Sequence, residues 1–239
     1  MADPLDGAIA LVTGASRGIG AALAVELARL GAHPVITGRT QGGLEETDDA
    51  IRAVGGQATL LPLDLREGGQ LDAIGPSLYQ RFGRLDVLVH NAGALGRLTP
   101  VSHIMPDDWD DVVAVNLAAT WRLIRTCDPL LRQAPAGRAV FVTDEHARAP
   151  LAYWGAIGAT KAAMENLVLT WAQELRITRV KANLFDPGPV ATRMRANAFP
   201  GEDRATLPTP EQVAPALAAL CLPSEERSGV LVRLQDRIS

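Results

Sequence analysis

"IALVTGASRGIGAALAVELARL", residues Ile9 to Leu30, is the stretch whose reading decides the fold. Ile9–Thr13 is a short apolar run without polar alternation, which fits a strand covered on both faces. From Ile19 to Leu30 apolar residues recur at helical spacing. Between them lies a turn with Gly14, Gly18 and Gly20 in a G-x-x-x-G-x-G spacing. Gly14 permits the tight reversal, while Gly18 and Gly20 let backbone approach a diphosphate and let helix pack on strand. A helix starting at that turn presents unpaired N–H groups and the positive end of its dipole. Strand, glycine turn and helix together predict a dinucleotide site.

The same alternation runs to the end of the chain. Strands are expected at Ile9–Thr13, Pro34–Thr37, Ala58–Pro62, Leu85–His90, Ala139–Thr143, Val180–Phe185 and Val230–Leu234. Amphipathic stretches separate them, among them Ile19–Leu30, Leu71–Phe82, Trp109–Leu131 and Ala159–Leu175. Strands spaced by helices pair in parallel through right-handed crossovers. The expectation is an α/β, three-layer, doubly wound (Rossmann) fold with a seven-stranded parallel sheet, its ligands beyond the C-terminal strand ends. No linker or repeat divides residues 1–239, so one dinucleotide-binding domain is expected. A Pro-rich segment at 191–212 has the length and position of a substrate lid.

Composition narrows the function. Of 239 residues 47% are hydrophobic, and the net charge is −4. The basic residues are scattered, which argues against nucleic acid or an anionic membrane as partner. No apolar run approaches a membrane span, and the N-terminus has no signal-peptide pattern. Cys127 and Cys221 read as reduced thiols of a cytoplasmic protein. Four dispersed histidines and no Cys/His cluster predict no metal site.

The motifs, taken in order, resemble the short-chain dehydrogenase/reductase family. "TGxxxGIG" at the first turn, "LDL" at 63–65, "HNAG" at 90–93, "VNL" at 115–117, "ATKAAM" around Lys161 and "DPGPVAT" at 186–192 follow the family order from about Ile9 to Leu234. "HNAG", "YWGA" and "MRANAFPGED" also resemble a bacterial branch of that family. The resemblance implies cofactor contacts from Gly14, Ser16, Arg17, Gly18, Ile19 and Gly20, and from Asp64 and Leu65 beside the adenine. It implies further contacts from Asn91, Ala92, Gly93 and Lys161, and from Pro187, Gly188, Val190 and Thr192 flanking the nicotinamide. It also implies hydride transfer on a carbonyl or alcohol, and a homodimer or homotetramer built through the long helices.

At the end of the second strand an acidic residue would bind the adenine ribose 2′-hydroxyl and favour NAD(H). Here "ITGRT" places Arg39 in that region, with Arg17 on the same side in related proteins. Two guanidinium groups match a 2′-phosphate, so NADP(H) is favoured over NAD(H).

Asn116 and Lys161 occupy the positions of the family Asn and Lys, but the family Tyr is Ile157 and the family Ser is Asp144. Isoleucine cannot carry a proton, and a positioned acid typically contributes about 10²–10⁴-fold in rate. Asp144 is expected to form a salt link with Lys161; as an anion it would oppose charge growing on a carbonyl oxygen. His146 and Tyr153 are the other candidate donors. Trp109, Trp121, Trp154 and Trp171 read as packing groups, and His90 as a satisfied, partly buried side chain. Two functions stay open: an oxidoreductase on a small-molecule substrate with an unusual proton source, or a catalytically silent dinucleotide-binding protein.

Overall fold

The computed structural model describes residues 3–237. Seven parallel strands, β1 (Ile9–Thr13), β2 (His33–Gly38), β3 (Thr59–Pro62), β4 (Val87–His90), β5 (Arg138–Val142), β6 (Lys181–Asp186) and β7 (Leu231–Arg233), lie in the order β3-β2-β1-β4-β5-β6-β7. The chain reverses its direction of travel across the sheet between β1 and β4, where an open α/β sheet leaves a crevice for ligand. Thr13 is level with His90, His90 with Phe141, and Val142 with Phe185. The loops that leave these four strands therefore collect along one edge.

Strand residues feed two cores in alternation, as the period of two demands. Val12, Val89 and Val140 pack with Leu23 and Leu27 of α1 (Gly18–Arg29), Leu44 of α2 (Gln41–Ala53) and Leu217 of α8 (Pro210–Ala218). Their neighbours Leu11, Leu88 and Phe141 face Leu71 of α3 (Gly68–Phe82), Leu123 of α5 (Ala119–Leu131) and Met164 and Val168 of α6 (Gly155–Glu174). Both faces are covered, which is why the strands show apolar runs and no polar alternation.

Two boundaries differ from the sequence pattern for physical reasons. β4 begins at Val87, because the Asp86 carboxylate is drawn to the Ile9 amide (2.9 Å) and to Arg84 before the ladder starts. α6 begins four residues early, at Gly155, since Tyr153 takes φ +75° and turns the chain into the helix. The long helix expected from Trp109 is α4 (Pro106–Val113) joined without a break to α5 through a π-helical turn, Ala114–Ala118. Such turns gather at functional sites, and this one carries Asn116. Cys127 and Cys221 are both free and buried, and burial pushes each thiol up to about 12. No helix among the described residues is long and apolar enough to cross a membrane.

Helices α3 and α5 touch closely at Gly75, whose amide donates to Thr126 Oγ1 at 3.1 Å. A methyl group there would stand 2.3 Å from the Thr126 carbonyl oxygen. Gly75→Ala must push the helices apart and is expected to cost about 1–3 kcal/mol, typical of overpacking. Thermal melting should fall by several degrees; an unchanged midpoint would show that the two helices do not meet there.

Candidate functional site

The glycine turn is pressed against the turn after β4. Gly14 has φ +66°, and a Cβ on it would lie 2.8 Å from Ala92 Cα. Asn91 Nδ2 donates to the Thr13 and Gly14 carbonyls at 3.1 and 3.2 Å, and a Cβ on Gly20 would strike it at 2.5 Å. The Ala92 amide donates to Thr13 Oγ1, which also contacts His90 Nδ1 at 2.9 Å. His90 is fully buried, and desolvation pushes its ring down to about 3, so it stays neutral.

On the second-strand side, Cβ positions built on Gly38 and Gly43 would meet Ser16 at 3.1 Å or closer. That contact brings Arg17 and Arg39 to one rim, each a single residue away. Both are exposed, and neither side chain forms a hydrogen bond or ion pair with another described residue, although Arg39 acts electrostatically on Asp64. Asp64 does not oppose them freely. Arg66 holds its carboxylate through Nε and Nη2 and, with burial working the other way, keeps its pKa below the usual value. Leu65 is buried beside it.

At the other end of the cleft three elements converge on Gly93. A Cβ there would lie 3.6 Å from Asn116 Oδ1, 3.7 Å from Lys161 Nζ and 3.9 Å from Met194 Cε. The Asn116 side chain accepts from the Ala94 amide (2.8 Å) and donates to the Ala94 carbonyl (3.0 Å) and Thr160 Oγ1 (3.1 Å). It thereby pins the π-helical turn to β4's loop and to α6. Lys161 is buried on α6 and donates to the Val142 carbonyl at 2.7 Å. Desolvation pushes its ammonium down to about 8, with the charges of Asp144 and Glu165 resisting.

The expected salt link between Asp144 and Lys161 is not formed. Asp144 Oδ1 accepts from the His146 main-chain amide at 2.9 Å and contacts His146 Nδ1. A short aspartate side chain readily satisfies the N–H two residues on in place of an ammonium on another element. Oδ2 has no hydrogen-bond partner among the described residues, and the side chain is 34% exposed. Ile157, one turn before Lys161, is 3% exposed and brings only methyl groups to its position. Tyr153 is 58% exposed, and its carbonyl accepts from the Thr99 amide.

Sequence reading overlooked an ionic cluster behind this site, two buried carboxylates held by the more exposed Arg148. Arg148 donates to Glu165 Oε1 and Asp186 Oδ2, Thr143 Oγ1 donates to Glu165 Oε1 at 2.5 Å, and Gly188 N donates to Asp186 Oδ1 at 3.0 Å. Its one visible signal was Glu165, four residues after Lys161 on the apolar stripe of α6, a costly place for an unpaired charge. Also unread was an aromatic stack. His146 lies on Trp154 at 3.8 Å and 8°, and Trp154 meets Phe199 at 5.5 Å. Arg195, paired with Glu202, covers the outer face of Phe199. The stack fastens α7 (Arg193–Ala198) over the loop that follows β5.

Thr192 caps α7 by accepting from the Arg195 amide, and its methyl lies near Gly18. Pro187 and Gly188 follow β6, and Val190 is buried below Thr192. The expected nicotinamide-flanking segment is thus beside the glycine turn. Trp154 and Trp171 do pack, but Trp109 and Trp121 are 40% and 47% exposed. Trp121 stands on α5 between Arg122 and Arg125, whose cations cover its ring in place of a core. His90 is wholly buried, deeper than its position at a strand end implied.

Comparison with known proteins agrees with this geometry. The family model described as short chain dehydrogenase matches residues 8–203. The chain is 38% identical over 216 residues to the uncharacterized oxidoreductase YciK of Escherichia coli K12, covering 89% of this chain and 85% of that one. It superposes with a TM-score of 0.93 on a short chain dehydrogenase of Shigella flexneri complexed with NADP, at 35% identity, covering 98% of this chain and 100% of the other. A short chain dehydrogenase of Escherichia coli CFT073 complexed with NADPH gives the same score at 36% identity, covering 98% and 99%. These matches agree with the sheet order, the glycine turn and the approach of Asn116 and Lys161 to Gly93, and the chain belongs to the short-chain dehydrogenase/reductase family.

Proposed function

We propose that this chain is an NADP(H)-dependent oxidoreductase that transfers hydride to a polar double bond at Gly93, Asn116 and Lys161. The observation that carries it is the pair of exposed arginines, Arg17 and Arg39, whose side chains form no hydrogen bond or ion pair among the described residues, beside a turn with no room for a Cβ at Gly14 or Gly20. A 2′-phosphate would take charge-assisted hydrogen bonds from both. The neighbours complexed with NADP and NADPH support the same cofactor.

Within that reading the turn at Gly14, Ser16, Gly18, Ile19 and Gly20 holds the diphosphate through backbone N–H groups and the α1 dipole. Asp64 and Leu65 border the adenine, and Asn91, Ala92 and Gly93 form the floor. Pro187, Gly188, Val190 and Thr192 close the nicotinamide end, and the 191–212 segment serves as lid over the substrate. When bound, the reduced nicotinamide supplies hydride. Lys161 and Asn116 orient the ribose end, and Ile157 excludes water from the reacting face. A carbonyl substrate would have to draw its proton from the Asp144–His146 pair or from water. The long helices, with Trp121 exposed on α5, serve for assembly into a homo-oligomer.

Three measurements test this reading. In calorimetric titration NADPH should bind more tightly than NADH. Arg17→Ala with Arg39→Ala should weaken NADPH by about 10- to 100-fold, the worth of lost charge-assisted bonds, and move NADH little. Equal affinity for the two nucleotides would remove the phosphate assignment.

The missing donor gives the second. Ile157→Tyr combined with Asp144→Ser should raise carbonyl reduction by the order of 10²-fold or more, the usual contribution of a positioned acid. A double variant that binds NADPH but reduces no carbonyl faster than the parent would show that the defect lies elsewhere.

The third is a pH signature of Lys161. Its folded value of about 8 lies below that of an exposed lysine, about 10.4. Between the two the unfolded chain keeps a proton that the folded chain has released, so folding gains stability as pH rises through this window. Urea unfolding at pH 7.5 and 10 should show wild type gaining roughly 2–3 kcal/mol relative to Lys161→Met. The thiols and other groups common to both proteins cancel in that difference. A flat difference would mean that the ammonium is not desolvated.

A further inference from the structure

The two replaced positions make sense together if the substrate brings its own positive charge. Reduction of a carbonyl leaves an alkoxide, which needs a proton and is disfavoured beside a carboxylate. Reduction of an iminium needs neither. Its carbon gains the hydride, the C=N π pair withdraws to nitrogen as a lone pair, and the substrate passes from +1 to neutral. The reduced nicotinamide is oxidised to its cation, and no proton is taken up or released. In the reverse direction a tertiary amine loses hydride and becomes the iminium.

Asp144 is placed for such a cation. His146 anchors Oδ1 through its main-chain amide and its ring, while Oδ2 has no hydrogen-bond partner among the described residues. The carboxylate is partly exposed and acts electrostatically on both Lys161, beneath the cleft, and Arg195, on the covering segment. Lys161 carries the opposite sign, but it is committed to the Val142 carbonyl, and Arg195 is committed to Glu202 through Nε and Nη2. Ile157, buried one turn before Lys161, has no proton to supply.

We propose that the substrate is an iminium cation, or the tertiary amine it becomes, and that Asp144 pairs with its charge. This rests on the NADP(H) reading above and deepens it. The probe for turnover is N-methyl-3,4-dihydroisoquinolinium, a permanent cation, with α-tetralone as its carbonyl counterpart. Wild type with NADPH should reduce the iminium above the protein-free blank, one nucleotide per substrate, and favour it over the ketone by ~100-fold, as removal of a required acid implies. Asp144→Asn keeps the oxygen that caps the His146 turn but loses the charge, and should lower iminium kcat/KM about tenfold or more.

Binding gives a readout free of turnover. N,N-dimethyl-tetrahydroisoquinolinium, which cannot accept hydride, should bind the NADP⁺ complex and lose about tenfold in affinity in Asp144→Asn. Equal affinity in both proteins, or a preference for the ketone, would overturn the proposal while NADPH uptake remained intact. Absence of NADPH uptake by wild type would instead strike the cofactor reading, and with it this one.

Discussion

Everything at the ligand edge depends on one close approach, the seating of the β1 turn on the β4 turn. Gly14 against Ala92, and Gly20 against Asn91, leave no room for a Cβ. The Asn91 amide then satisfies two carbonyls that the turn would otherwise strand. Because β1 and β4 are adjacent at the point where strand order reverses, this contact also fixes the floor of the crevice. Gly93 is three residues past the end of the β4 pairing, and the position of Asn116 and Lys161 relative to the cofactor turn follows from it. A wider turn would move both ends of the cleft apart.

The second constraint is electrostatic. Three charged side chains, Lys161, Glu165 and Asp186, are buried around the ends of β5 and β6, and Arg148 reaches the two carboxylates from an exposed loop position. A buried charge is tolerated when it is paired and hydrogen-bonded. Arg148 meets that condition for two carboxylates at once and ties the loop after β5 to α6 and to the β6 turn. Lys161 has the Val142 carbonyl and the Met164 sulfur as partners and no carboxylate bonded to it among the described residues, so burial lowers its proton affinity. The arrangement holds Asp144, four residues before Arg148, in a loop fixed at both ends.

The fold was legible because its signals are local and repeated: apolar strands, glycine turns and helical periodicity report on burial one element at a time. The glycine turn, Asn116 and Lys161 were legible through spacing and family order. Partner choice was not. Whether Asp144 would reach Lys161 or cap its own turn turns on a competition between a distant charge and an N–H two residues away, which no spacing encodes. Arg148, Glu165 and Asp186 come from three segments, and only the sheet register brings them together. The stack of His146, Trp154 and Phe199 likewise joins a loop, a helix start and a covering segment far apart in sequence. Exposure of Trp109 and Trp121 eluded the pattern because an apolar stripe does not say whether the face it makes is covered within one chain.

Loss of the family tyrosine and serine could be taken as decay of a catalyst, but decay leaves the surroundings of a site without purpose. Here Ile157 is buried, and Asp144 is held on one oxygen while the other has no hydrogen-bond partner among the described residues. On the iminium proposal the two changes also agree in sign. An isoleucine removes a proton source, and a carboxylate removes the reason to need one by favouring positive charge on the substrate. A serine in place of Asp144 would leave the site unable to serve either chemistry, since it would neither supply the proton nor balance a cation. On that proposal the pairing of an inert side chain with a fixed anion is one chemical choice made at two positions.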